Sequence, residues 1–149
     1  MRITLDANIL VRANSRSRGP ARELLEAIRS DSRHTLILSR HILGEVKRTL
    51  QYPRLQKQYG LSEQDIAEHV ELLQRVSTVV EPIIAEPVVR NDPDDDPVVY
   101  TAVEGRADVL CTRDSDFYAP TVIGFCRQRG VEIMTDLELL GKLRQEKWG

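Results

Sequence analysis

The strongest constraint on this chain is an alternation that runs from end to end. Short β-branched or apolar runs are each followed by a stretch whose apolar residues recur at helical spacing. ITLDA at 3–7 is the first such run. After an arginine-rich loop, Pro20 opens a stretch with Ala21, Leu24, Leu25 and Ile28 three and four apart. TLILS at 35–39 comes next, and Ser39 is placed to cap a helix carrying Ile42, Leu43, Val46 and Leu50 on one face. Gly60 breaks the chain, Ser62 and Asp65 form a capping pair ahead of Ile66, Val70, Leu73 and Val76, and TVVEPII supplies another β-like segment. Asp96 before Pro97 predicts a helix start with the carboxylate as its cap. DVLCT at 108–112 and VEIMT at 131–135 read as strands, with Thr135 and Glu138 boxing the terminal helix. Strands alternating with helices predict an α/β fold with a parallel sheet.

Length and composition narrow the class. The 149 residues fit one soluble domain spanning 1–149, and a net charge of −2 does not announce a nucleic-acid binder, although a local basic strip would be hidden in that sum. Cys111 and Cys126 have neither the number nor the spacing of a disulfide framework or zinc site, and both read as buried thiols. The first residues lack a cleavable leader and no apolar run reaches membrane-spanning length, so a cytoplasmic protein without a membrane partner is expected.

The acids carry the functional signal. In open parallel sheets, functional residues collect beyond the carboxyl ends of the strands, and Asp6, Asp114, Asp96 and Glu45 sit at or near such ends on four separate segments. Asp6 lies inside the apolar run LDANIL, where an unpaired buried charge costs roughly several kcal/mol, so it calls for a cation. Asp114 and Asp116 leave an apolar strand beside the Thr112 hydroxyl. Glu45 stands at the edge of an apolar helix face, where an exposed glutamate is the ordinary outcome. In NDPDDDP at 91–97, Asp92, Asp94 and Asp95 read as solvated turn residues, with Asp96 as both cap and ligand. Clustered carboxylates raise one another's pKa unless a cation neutralises them, and all-oxygen donors suit Mg²⁺ or Mn²⁺ over zinc.

With Asp6, Asn8, Glu45, Asp96, Thr112, Asp114 and Asp116 in this order, the chain resembles the PIN domain family, specifically its VapC-like toxin ribonucleases, over essentially its whole length. LDANIL resembles the opening acid motif, ILGEV the second, DPVVYTAVEGRAD the third and TRDSDF the fourth. The resemblance implies a mainly parallel sheet of about five strands flanked by helices. It also implies a ribonuclease site in which Asp6, Glu45, Asp96 and Asp114 hold one or two ions of Mg²⁺ or Mn²⁺, with Asn8, Thr112 and Asp116 in support. A cognate antitoxin and a homodimer are the partners it implies. Ala7 departs from the pattern, since many relatives carry a hydroxyl residue there.

The chemistry expected at such a centre is hydrolysis of RNA phosphodiester bonds by metal-activated water. The histidine route to RNA cleavage fits less well, because His34, His41 and His69 show no evident convergence; His41, one helical turn before Glu45, is left outside the site. Arg12, Arg16, Arg18 and Arg22 cluster after Asp6 and offer a rim for the RNA backbone. A scaffold that keeps this fold without cutting, and binds RNA or a protein, is the rival reading. A phosphoacceptor signalling domain is disfavoured because VEIMTD lacks the lysine it requires.

Overall fold

The computed structural model describes residues 1–148. Five strands, β1 (Arg2–Leu5), β2 (Thr35–Ser39), β3 (Ser77–Val80), β4 (Val109–Cys111) and β5 (Glu132–Met134), form one sheet in the order β3-β2-β1-β4-β5. Every neighbouring pair is parallel. The register sets Leu5 beside Cys111 and Ser39 beside Val80, so the carboxyl ends of the strands finish along one edge. Consecutive residues are buried in β1, β2 and β4, as expected of parallel strands covered on both faces.

Eight helices cover the sheet among the described residues: α1 (Ala7–Arg12), α2 (Pro20–Arg29), α3 (Arg40–Leu50), α4 (Pro53–Tyr59), α5 (Glu63–Val76), α6 (Asp96–Glu104), α7 (Pro120–Gln128) and α8 (Asp136–Trp148). Most begin where local chemistry says they must. The Ser39 hydroxyl accepts from the Ile42 N–H, Ser62 and Asp65 form a reciprocal capping box, and Thr135 and Glu138 exchange the same pair of bonds. The residues expected along the apolar faces of α2, α3 and α5 pack in or against one core that also contains Cys111, Cys126 and Phe117. None of the described helices is long and apolar enough to cross a membrane.

Two expectations need correction. TVVEPII forms a strand only as far as Val80; Pro82 cannot donate to a ladder, and Ile83 and Ile84 are exposed. Asp96 does not cap α6. It is the first residue of that helix, and its Oδ1 instead accepts from the Val88 and Val89 N–H groups at 3.1 and 2.8 Å, fastening the segment that leads into the acidic turn.

The C-terminal end of α6 packs tightly on β2. A Cβ at Gly105 would overlap Ile37 Cγ2 and approach the Thr101 carbonyl at 2.9 Å, so only glycine fits. The Arg2 guanidinium closes this end, donating to the Gly105 carbonyl at 2.8 and 3.0 Å.

Candidate metal centre

Strand order reverses at β1, with β2 on one side and β4 on the other, and the acids gather where the ends of β1 and β4 part. Asp6 follows β1 and caps α1, its Oδ1 accepting from the Ala7 N–H at 2.7 Å. Its Oδ2 accepts from the Thr112 hydroxyl at 2.7 Å and from the Asn8 amide at 3.3 Å. Thr112 Oγ1 also receives the Asp114 N–H at 3.1 Å, so a single hydroxyl joins the ends of both strands. Asp114 Oδ1 in turn accepts from the Asp116 N–H at 3.0 Å, which opens a short 3-10 turn.

Asp6, Glu45, Asp95 and Asp114 line one cavity of about 390 Å³. Asp95, which local reasoning left in solvent, is buried to 9 % exposure, and its Oδ2 has no hydrogen-bond partner. It lies against the carboxylate of Asp114, a contact that favours its protonated form. The expectation that Asp96 joins Asp6, Glu45 and Asp114 is corrected: Asp95, not Asp96, lines their cavity. Neighbours in one helical turn point in different directions, and the N–H groups of Val88 and Val89 claim the carboxylate of Asp96.

The electrostatics are those of crowded carboxylates. Burial pushes the pKa of Asp6 up to about 6 against the bonds from Thr112 and Ala7, with Glu45 and Asp114 adding to the rise. Burial, followed by the charges of Asp6, Asp92 and Asp114, pushes Asp95 up to about 8. One carboxylate oxygen each of Asp92, Asp95 and Asp116 lies within 4.8 Å of the others. Asp92 also receives the Asp94 N–H, and Asp116 accepts from the Asn91 amide at 3.4 Å.

His41, left outside the site in the sequence reading, stands beside Glu45 in the structure. Its Nε2 stands 3.0 Å from Glu45 Oε1, at ion-pair distance but out of hydrogen-bond alignment. Glu45 raises its pKa above the ordinary value, and contact with the Asp94 backbone adds to that effect. The i, i+4 spacing was the available signal. The other two histidines lie elsewhere: His69 is buried with Nε2 3.0 Å from the Leu10 carbonyl, and His34 is beside the amino terminus.

The arginines divide. Arg12 lines the acidic cavity. Arg16 stands 3.9 Å from Asp65, and Arg22 donates to the Ala13 carbonyl and pairs with Glu26 at 3.1 Å. Arg18 borders a separate, larger depression of about 880 Å³ between α2 and α8. There, Arg22, Arg33 and Arg144 are matched by Glu26, Asp31 and Glu23, whereas the acidic cavity sets the carboxylates of Asp6, Glu45, Asp95 and Asp114 against Arg12.

The strand order and the acids at its switch point define an α/β protein with carboxylates clustered beyond the strand ends. The chain belongs to the PIN domain family, whose sequence model matches residues 2–116. Its fold is shared with a chain in the crystal structure of VapBC2 from Rickettsia felis bound to a DNA fragment from their promoter. The match has a TM-score of 0.58 and 13% sequence identity, and it covers 91% of this chain and 98% of that one. No curated protein sequence matches the chain significantly.

Proposed function

We propose that this chain is a divalent-metal-dependent endoribonuclease, a single nuclease domain over 1–149 that hydrolyses RNA phosphodiester bonds and acts as the toxin of a toxin–antitoxin pair. The observation that carries the reading is the unpartnered, buried Oδ2 of Asp95 in a cavity shared with Asp6, Glu45 and Asp114. The donor set is all carboxylate, which fits a hard cation such as Mg²⁺ or Mn²⁺.

Asp6, Glu45, Asp95 and Asp114 would hold the ion, and Asp92 and Asp116 with Asp95 form the group for a second. Bound there, the ion supplies charge neutralisation and activation of water for attack on phosphorus. The chain's own residues do the positioning. Thr112 and Asn8 hold Asp6 Oδ2, Thr112 fixes the backbone that presents Asp114, and Arg12 offers its charge to the RNA backbone. Family membership supports nuclease chemistry. The likeness to the VapBC2 chain supports a cognate antitoxin, and a homodimer belongs to the same reading.

The test is incubation of purified protein with structured and unstructured RNAs in Mg²⁺, Mn²⁺ or EDTA, beside Asp6→Asn and Asp114→Asn. Cleavage leaving 5′-phosphate ends, lost in EDTA and in both variants, is the expected result. If Mn²⁺ stabilises the protein but both variants leave the nuclease activity of a clean preparation unchanged, the non-cutting scaffold is the correct reading. Light scattering of the free chain decides the homodimer.

A further inference from the structure

The lining of the acidic cavity combines two chemistries. Carboxylates and Asn8 supply one, and Arg12, Leu55 and Tyr59 the other. Leu55 and Tyr59 come from α4, which contains no fully buried residue, and both pack half-buried against the core. The helix is also held at its ends. Pro53 opens it, Gly60 closes it in the left-handed conformation at φ 67° with its N–H on the Gln56 carbonyl at 2.8 Å, and the Gln51 and Gln56 amides donate to Glu63 of α5 at 3.2 and 2.7 Å.

These contacts set the last turn of α4, and with it a half-buried Tyr59 whose ring is backed by the core. Its hydroxyl has no hydrogen-bond partner among the described residues, so the ring is the part the fold has placed. Arg12, in the lining of the same cavity, is exposed and has no ion-pair partner among the described residues.

We infer that Tyr59, backed by Leu55, is a specificity-determining residue on which a nucleobase beside the scissile phosphate stacks, while Arg12 takes a neighbouring phosphate. The inference rests on reading the acidic cavity as a nuclease centre. A nucleotide has both halves of this cavity's chemistry: a phosphate that follows the cation to the carboxylates, and a flat apolar base that an aromatic face accepts. The cavity is the size of a small-molecule pocket and admits a base only when that base has left its own stack.

The test uses the full chain and a short fluorescent single-stranded RNA in which one abasic position is moved along the strand. Binding is read by anisotropy with Ca²⁺, and cleavage of the same strand with Mn²⁺. Stacking on one aromatic ring is worth roughly 5- to 150-fold in affinity, and Tyr59→Leu is expected to lose that factor. Tyr59→Phe keeps the ring and stays within about twofold of the parent. Tyr52→Leu, at an exposed tyrosine outside the cavity, changes nothing. One abasic position weakens the parent by a similar factor and weakens Tyr59→Leu no further.

Equal binding by a folded Tyr59→Leu, or an abasic penalty that ignores the substitution, overturns the inference. If Tyr59→Leu does not fold, a parent chain with no sensitive abasic position overturns it equally. Binding that follows this pattern without cleavage by any chain removes the nuclease reading and leaves the base platform. Cleavage that ignores Tyr59 does the reverse.

Discussion

The two ends of the sheet treat charge in opposite ways. At the amino ends of the strands, each acid meets a donor: Asp31 pairs with Arg33 at 2.7 Å, which holds its carboxyl well below the usual range, and Asp108 accepts the Arg2 N–H at 2.8 Å. At the carboxyl ends, Asp6 and Asp95 face further acids and are pushed upward. The first end is arranged to hold the fold together, whereas the second keeps an imbalance that only a proton or a cation relieves.

The sharpest way to break this comparison is to exchange adjacent acids. Asp95→Asn is expected to lower kcat/KM for RNA by about 100- to 1,000-fold, the scale of losing one preorganised electrostatic contact. Asp96→Asn retains an acceptor for Val88 and Val89, so its cost appears in thermal stability and its activity stays near that of the parent. Equal activity losses in the two variants would return Asp96 to the centre.

His41→Ala should come next, with roughly a tenfold loss in Mn²⁺ affinity by calorimetry, as for groups that orient a ligand. His41→Gln should recover part of it. An unchanged affinity would reduce the 3.0 Å approach to Glu45 to a surface contact.

The opposite end supplies the contrast in stability. Gly105→Ala forces a methyl onto Ile37 and should cost about 1–3 kcal/mol in denaturant unfolding. Arg2→Ala removes the bonds to Gly105 and should cost about 1 kcal/mol. Both variants should leave kcat of the folded fraction unchanged, and a lowered kcat would mean that the two ends are not independent.

The smallest effect is a slope with pH. The raised carboxyls of Asp6 and Asp95 bind protons more tightly in the folded than in the unfolded chain. Their stabilising contribution is therefore full below the ordinary 3.8 and is lost as pH rises through about 6 and about 8. His69, whose pKa burial lowers, acts the other way: it costs stability as pH falls below 6.5 and contributes nothing above it. In EDTA, Tm should fall from pH 6.5 to 8.5, and Mg²⁺ should flatten the decline. His41 has the same sign as the acids, so Asp95→Asn is the control: a slope unchanged in that variant would assign the effect to His41.

Where the sequence was readable, short-range chemistry sufficed. TLILS needed only its composition and flanks, and the caps at Ser39, Ser62 and Thr135 needed only partners three residues away. Asp6 was legible because an acid in an apolar run is costly wherever the chain goes. Asp95 and Asp96 could not be told apart because the deciding donors, Val88 and Val89, are set by a tertiary path and not by local preference. The arginines after Asp6 were close in sequence, yet the loop sends Arg16, Arg18 and Arg22 to other neighbours.

The bond from Thr112 to Asp6 spans 106 positions and joins the first strand made to the fourth. Pairing of this range is slow to form, and during synthesis the first strand waits beside an empty place until the fourth has emerged. A nascent chain therefore has no assembled acidic centre until Thr112 and Asp114 have emerged, so whatever chemistry that centre performs belongs to the nearly complete chain.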